Sequence, residues 1–335
     1  MLKIESSDKK KLSKYKFIDL FAGIGGFHYA LSSYGAKCVF ASEWDIHASS
    51  VYENNFGLKP HGDITKVDEK QIPSHNILCG GFPCQAFSIA GKQKGFDDTR
   101  GTLFFDILRI AKYHNPEILF LENVKNLAKH EDGRTISVIL KKLDEIGYNV
   151  FYKILNTSNF GLPQNRERVY FVCFRKDLKI NKFDFPTPIK QHISLNTLLE
   201  EFVQDEYYIY RDDIIFTKSI HINKDIFGES ALINKPLQIG YVNKGGQGER
   251  IYHTEGHAIT LSAYGGGAGA KTGIYLHNNK IRKLMPRECA RAQGFPEEFI
   301  IHPNKNQAYK QFGNSVSINV LQSILKEIAN KTFIV

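Results

Sequence analysis

Two hydrophobic periods alternate along the first half of the chain. "YKFIDLFAGIGGFHYALSSYG" opens with a β-rich run over 15–21, passes through closely spaced glycines, and continues with apolar residues at helical spacing: a strand, a tight turn and a helix. "AKCVFASEWD" (36–45) reads as a second buried strand ending in acidic residues, and "IHASSVYENNFG" as a helix closed by Gly57. "GDIT" (62–65) ends a short third unit, and "HNILCGG" (75–81) is a further strand. "TLFFDILRIAKYH" puts Leu103, Phe104, Ile107, Leu108 and Ala111 on one helical face. "PEILFLENV" (116–124) is a strand, a helical stretch runs to about 146, and strands follow near 148–156 and 167–174. Alternation of this kind predicts an α/β fold: a Rossmann-like, doubly wound, mainly parallel sheet with helices on both faces.

The pattern changes after "FDFPTPIK" (183–190), where prolines mark a boundary. Short β-like runs and loops fill 190–280, with ten glycines between 240 and 273, and predict a small irregular β-rich domain. Helical spacing returns at the end with Val316, Val320, Leu321, Ile324, Leu325 and Ile328, and that helix is expected to pack back on the first domain. The expected division is therefore 1–189, 190–285, and a return segment over 286–335.

Composition sharpens this picture in three ways. The 335 residues are 42% hydrophobic and 24% charged, as in globular proteins, and no apolar run is long enough to span a bilayer. The charged start lacks the apolar stretch of a signal peptide, so a soluble, cytoplasmic protein with no membrane partner is expected. Five cysteines (38, 79, 84, 173, 289) without a C-x-x-C pair argue against a disulfide framework and a zinc site, and no metal is expected. The net charge of +9 is unevenly placed: residues 188–234 carry 8 acidic against 4 basic side chains, whereas 235–287 carry 8 basic against 2 acidic. A basic, glycine-rich segment suits a polyanionic partner.

Four groups of residues carry candidate chemistry. "DLFAGIGGF" (19–27) is a glycine turn between strand and helix, where nucleotide-like ligands meet a helix N-terminus, although His28 stands where G-x-G-x-x-G requires its third glycine. Glu43, Trp44 and Asp63 follow at strand ends, suited to ribose hydroxyls, an adenine ring and an adenine amino group; each is equally an ordinary strand-end carboxylate or a core aromatic. Cys84, after Gly80, Gly81 and Pro83, and Glu122 lie just past two strands, as a nucleophile and a partly buried acid, or as a loop thiol and a structural carboxylate. Gln164, Arg166 and Arg168 alternate towards a strand, either as a positioning set or as a solvated ladder. Finally, "NKGGQGERIYHTEGHAITLSAYGGGAGAKTGIYL" (243–276), with Tyr241, Tyr252, Tyr264 and Tyr275 interleaved, offers glycines for close approach to a groove and cations for phosphates and guanines; mobile surface loops are the alternative.

Taken in order, "DLFAGIGGF", "EWD", "GDI", "GFPCQAFS", "RGTLFFDI", "ENV", "QNRERVYFV", "RKLMPRECARAQGFP" and "QAYKQFGNSV" resemble the blocks of the cytosine-5 DNA methyltransferases over essentially 15–325. "KGGQGERIY" and "ITLSAYGGG" resemble the recognition segment of the HhaI-type, GCGC-specific modification enzymes. The resemblance implies the S-adenosylmethionine-dependent methyltransferase fold, with catalysis and cofactor binding in 1–189, target recognition in 190–285, and the remainder completing the catalytic domain. It implies a methyl group passed from S-adenosylmethionine, leaving S-adenosylhomocysteine, to carbon 5 of a cytosine flipped out of double-stranded DNA. By block position it makes Cys84 the nucleophile, Glu122 the acid, and Arg166 and Arg168 the supporting guanidiniums. The cofactor positions are Phe21, Gly23, Ile24, Gly25, Glu43, Trp44, Asp63, Ile64, Pro83, Leu103 and Asn314. The DNA-contacting positions are Ser88, Lys92, Arg100, Gln164, Gln247, Arg250, Tyr264 and Gly266. Residues 85–100, with Gly91, Lys92, Lys94, Gly95 and Arg100, would form a loop closing over DNA, and Gln247 would fill the space left by the flipped base. A monomer is expected, within a restriction–modification system whose endonuclease shares the site without having to bind. A tRNA-modifying relative and a catalytically lapsed DNA-binding protein are the rival readings.

Overall fold

The structure, a computed structural model, describes residues 4–83, 103–189, 193–217 and 235–332. Its contacts divide into two compact units. One comprises Lys3–Leu155, Glu167–Thr187 and Val320–Val335; the other comprises Met1–Leu2, Asn156–Arg166 and Pro188–Asn319.

The first unit holds a six-stranded sheet built from β1 (Lys16–Leu20), β2 (Lys37–Ser42), β3 (Ile77–Gly81), β4 (Ile118–Val124), β5 (Tyr148–Asn156) and β6 (Glu167–Arg175), in the order β2-β1-β3-β4-β6-β5. The first four strands of that order are parallel, and β6 runs antiparallel to β4. The connecting helices are α1 (Gly26–Ser33), α2 (Ile46–Phe56), α3 (Leu103–His114) and α4 (Arg134–Glu145). Central strands read as continuous apolar runs because both faces are covered: Ile118, Leu119, Phe120 and Leu121 of β4 are all buried. The short unit expected to end at 62–65 contributes no strand. His61 makes one parallel bridge to Ser42, and residues 64–66 close into a single 3₁₀ turn capped by the Asp63 carboxylate.

The last helix, α7 (Ile318–Thr332), buries Leu321, Ile324, Leu325 and Ile328, as its spacing predicts. It joins the first unit from Val320 onward. There the Tyr34 hydroxyl donates to the Gln322 carbonyl at 2.9 Å, and Lys11 donates to Asn330 Oδ1 at 2.9 Å.

The second unit carries the sheet β11-β10-β9-β8-β7, from β7 (Ile215–Phe216), β8 (Leu237–Tyr241), β9 (Arg250–His253), β10 (Ile274–His277) and β11 (Lys280–Arg282). Its core is aliphatic: Ile239, Val242, Ile251, Ile274 and Ile281. Helices α5 (Pro286–Gln293) and α6 (Lys305–Asn314) belong to the same unit. A buried ion pair, Arg282 Nη2 to Glu288 Oε2 at 2.5 Å, ties β11 to α5, and Glu288 also accepts the amides of Glu200 and Met285. This division differs from the boundaries expected at 190 and 286. Residues 156–166 and 286–319 cluster with the β-rich unit, and among their links the Asn165 amide donates to the Ala258 carbonyl at 2.8 Å and the Arg166 guanidinium to the Leu261 carbonyl at 3.2 Å.

Candidate active site and recognition loops

In the first unit, the carboxyl ends of β1, β2, β3 and β4 lie side by side, the place where open α/β sheets bind ligands. After β1 the chain turns sharply: Phe21 takes a φ of 55°, Gly23 55° and Gly25 89°. Gly25 has no alternative, since a Cβ there would meet Phe56 Cε2 at 2.1 Å. Gly23 donates its amide to Glu43 Oε2 at 2.8 Å, while Glu43 Oε1 accepts from the Asp45 amide at 2.8 Å. Burial raises the Glu43 pKa, and the amides of Asp45 and Gly23 act in the opposite direction. Beside this fixed carboxylate the indole of Trp44 is 81% exposed, an unusual place for the only tryptophan of the chain.

His28 explains the missing third glycine. It is buried, its ring stacks on Phe56 at 3.9 Å, and Nδ1 lies 2.6 Å from the Tyr52 hydroxyl. Burial pushes its pKa down to about 4, so at neutral pH it is an uncharged core group. Asp63 faces solvent, its Oδ1 held by the amide and hydroxyl of Thr65 at 3.1 and 2.8 Å, and Ile64 beside it is buried. Leu103 begins α3 and leans on the main core, and Pro83 is exposed just past β3.

Glu122 lies near the end of β4, in register with Gly81 of β3. Across the antiparallel pair, Val124 faces Arg168 of β6, and Arg168 Nε approaches Glu122 Oε1 at 3.1 Å with both side chains largely buried. The next residue supplies a link that sequence reasoning missed. The Asn123 amide donates to the Phe82 carbonyl at 2.7 Å, so β4 holds the main chain two residues before Cys84. Its signal was present as the middle letter of "ENV". Cys84, Ser88, Lys92 and Arg100 lie outside the described residues.

Two of the expected site residues are buried and bonded to main-chain carbonyls. Gln164 is 0% exposed, donating to the Ala292 carbonyl at 2.7 Å and accepting from the Leu261 amide at 3.4 Å. Arg166 is 2% exposed, and its guanidinium donates to the carbonyls of Leu261, Gly313 and Ser315 at 3.2, 3.1 and 2.5 Å. Those bonds fasten the β-rich unit, and Arg168 pairs with Glu122. Asn314, the last residue of α6, is exposed in the β-rich unit.

In that unit the two glycine-rich loops are joined. The Gly269 amide donates to the Gly248 carbonyl at 2.6 Å, and a Cβ on Gly248 would stand 1.8 Å from the Gly266 carbonyl oxygen. Glycine here serves close main-chain approach. The 243–249 loop is also braced by side chains: its own Glu249 accepts from Asn243 Nδ2 and the Gly246 amide, both at 2.8 Å, and Asp213 outside it accepts the Asn243 amide at 2.9 Å. On this doubled loop Gln247, Arg250 and Gly266 are exposed, and Tyr264 is 79% exposed. Tyr252 and Tyr275 are instead buried core residues.

A family profile for C-5 cytosine-specific DNA methylases matches residues 15–330. The chain belongs to that family. It is 54% identical over 328 residues to the type II methyltransferase M.HhaI of Haemophilus parahaemolyticus, covering 98% of each chain. It is 45% identical over 329 residues to M.HpaII of Haemophilus parainfluenzae, covering 95% of this chain and 90% of that one. In fold it is similar to the Dnmt2 methyltransferase of S. pombe, with a TM-score of 0.70 at 22% identity over 95% of this chain and 99% of that one. It is likewise similar to EhMeth of Entamoeba histolytica, with a TM-score of 0.71 at 19% identity over 95% and 98%. The protein is a DNA cytosine-5 methyltransferase that uses S-adenosylmethionine. The donor set of the first unit fits that cofactor: a left-handed turn with open space at Gly23, a buried strand-end carboxylate and an uncovered indole beside it. Among the described residues, no helix of this methyltransferase is long and apolar enough to cross a membrane.

Proposed function

We propose that this methyltransferase modifies the cytosine of a GCGC site in duplex DNA, as the modification half of a restriction–modification pair. The observation that carries the specificity is the recognition segment: "KGGQGERIY" and "ITLSAYGGG" resemble the GCGC-specific enzymes, and they form the paired glycine loops that present Gln247, Arg250 and Tyr264. The 54% identity to M.HhaI over nearly the whole chain supports the same reading.

Carbon 5 of cytosine is a poor nucleophile, and it is inaccessible inside a stacked duplex, so the base must leave the stack. The Cys84 thiolate forms a bond from sulfur to carbon 6, and Glu122 delivers a proton to ring nitrogen 3. Electron density then accumulates at carbon 5. Bound S-adenosylmethionine supplies an electrophilic methyl group there. A base removes the carbon 5 proton, the carbon–sulfur bond breaks to restore the Cys84 thiolate, and the proton on ring nitrogen 3 returns to Glu122. Arg168, in contact with Glu122, holds the carboxyl in place and offers its remaining N–H groups to the 2-carbonyl oxygen. Phe21, Gly23, Ile24, Gly25, Glu43, Trp44, Asp63, Ile64, Pro83, Leu103 and Asn314 are the residues proposed to hold the cofactor. Gln247 is proposed to enter the space the cytosine vacates.

The test is direct. Plasmid DNA is incubated with the enzyme and S-adenosylmethionine, and 5-methylcytosine is mapped by bisulfite sequencing. Conversion-resistant cytosines confined to GCGC support the proposal, and another shared context replaces the site while leaving the reaction class intact.

A further inference from the structure

The cofactor cradle has a fastening that no part of the reaction uses. Arg109 lies on α3, six residues after Leu103. Its Nη2 donates to the Ile64 carbonyl at 2.6 Å, its Nη1 to Glu69 Oε2 at 2.8 Å, and its Nε to Asp106 Oδ1 at 2.8 Å. Five residues on, His114 Nε2 lies 2.8 Å from the Glu69 carbonyl. The same helix therefore grips the 63–71 segment at two points.

What is gripped matters. Residues 64–66 form one 3₁₀ turn, a conformation with weak hydrogen-bond geometry that seldom stands without outside support. Asp63 is half-buried at its cap, and the carbonyl immediately after Asp63 is the one Arg109 holds. The guanidinium has polar partners on three sides, two of them carboxylates that are partly screened by solvent. Each carboxylate pair is therefore weak as a source of global stability. The bond to the carbonyl has a different consequence: it fixes the position of Asp63 and Ile64 relative to the start of α3, where Leu103 stands.

We propose that Arg109 is a positioning residue for S-adenosylmethionine, setting the spacing between the 63–64 turn and the first turn of α3. The inference rests on the reading of Asp63, Ile64 and Leu103 as cofactor contacts. Without Arg109 the turn loses its anchor, and the cofactor must order it on binding, which weakens affinity without altering the chemistry of the bound state.

Arg109→Met, Arg109→Lys, Glu69→Gln and Asp63→Ala are compared with the wild-type enzyme. The readouts are titration calorimetry with S-adenosylhomocysteine, thermal melting, and steady-state kinetics on duplex DNA. Arg109→Met is expected to weaken S-adenosylhomocysteine binding and raise the KM for S-adenosylmethionine by about tenfold, the effect of one lost charge-assisted hydrogen bond. With cofactor saturating, kcat and the KM for DNA stay within about twofold of wild type. Arg109→Lys recovers part of the affinity, and Glu69→Gln, which spares the Ile64 carbonyl bond, leaves affinity near the wild-type value. A lower melting temperature for Arg109→Met with unchanged affinity overturns the proposal and leaves a structural role. If Asp63→Ala weakens binding but Arg109→Met does not, the positioning role fails while the cofactor reading of the turn stands. If neither weakens binding, both fall.

Discussion

The proposed catalytic edge of the sheet and the proposed recognition loops of the β-rich unit are held in place by opposite means. At the sheet edge, side chains do the holding from buried positions: Arg168 on Glu122, Asn123 on the Phe82 carbonyl, Glu43 on the Gly23 amide. In the loops, absence of side chains does it. Gly248 lies against Gly266, Gly269 bonds to Gly248, and the surrounding braces from Asp213 and Glu249 are exposed. Reacting groups need fixed orientation in a low-dielectric setting, where polar interactions are strong. A surface that reads DNA must remain wet and reachable, so rigidity there comes from main-chain contact.

The comparison is most sharply broken at the two arginines that stand two residues apart. Arg168→Met removes the partner of Glu122 and is expected to lower kcat by about 10²–10³-fold, a loss typical of a removed transition-state donor, with little change in melting temperature. Arg166→Met should do the reverse, leaving three carbonyls of the β-rich unit without their donor and costing on the order of 3 kcal/mol in denaturant unfolding. A catalytic collapse of Arg166→Met at full stability would return that residue to the active site.

The third prediction concerns acid. In the fold, His28 titrates at about 4, below the ordinary value of 6.5, so the native state prefers the neutral ring. Its contribution to stability is complete above pH 6.5 and is lost as the pH falls towards 4. Chemical denaturation between these limits should show a loss on the order of 2 kcal/mol that His28→Phe removes. An unchanged acid slope in the variant would mean that His28 is not the group being protonated.

The smallest effect is expected in the loops. Gly248→Ala places a methyl group against the Gly266 carbonyl and should separate the loops, raising the KM for DNA by about tenfold while S-adenosylhomocysteine affinity stays unchanged. Wild-type DNA kinetics in that variant would show that the paired loops do not set the recognition surface.

Much of the sheet was legible in the sequence because buried strands and glycine turns carry strong local patterns. Glu122 could be placed at a strand end from "LFLENV" alone, and Trp44, beside Glu43, at the end of another from "EWD". The destinations of Gln164 and Arg166 were not legible. Alternation predicts a shared face only inside a strand, and β6 starts at Glu167, so both residues precede the strand whose periodicity was applied to them. The Arg109 anchor was equally hidden, because it joins a helix to a turn 45 residues earlier and leaves no spacing signal. His28 was legible only as a departure from the dinucleotide pattern; its burial against Phe56 and Tyr52 supplied the reason.

The central claim is that catalysis proceeds through a covalent bond from Cys84 to the target cytosine, prepared by Glu122 and Arg168. A duplex carrying 5-fluorocytosine at the target position tests it, because fluorine cannot leave as the carbon 5 proton does and the enzyme stays attached after methyl transfer. Incubation with S-adenosylmethionine followed by denaturing electrophoresis should give a stable enzyme–DNA band for the wild type, slower formation for Arg168→Met, and none for Cys84→Ala, with peptide mapping locating the attachment at Cys84. A band of normal intensity from Cys84→Ala, or attachment at another residue, would contradict the account.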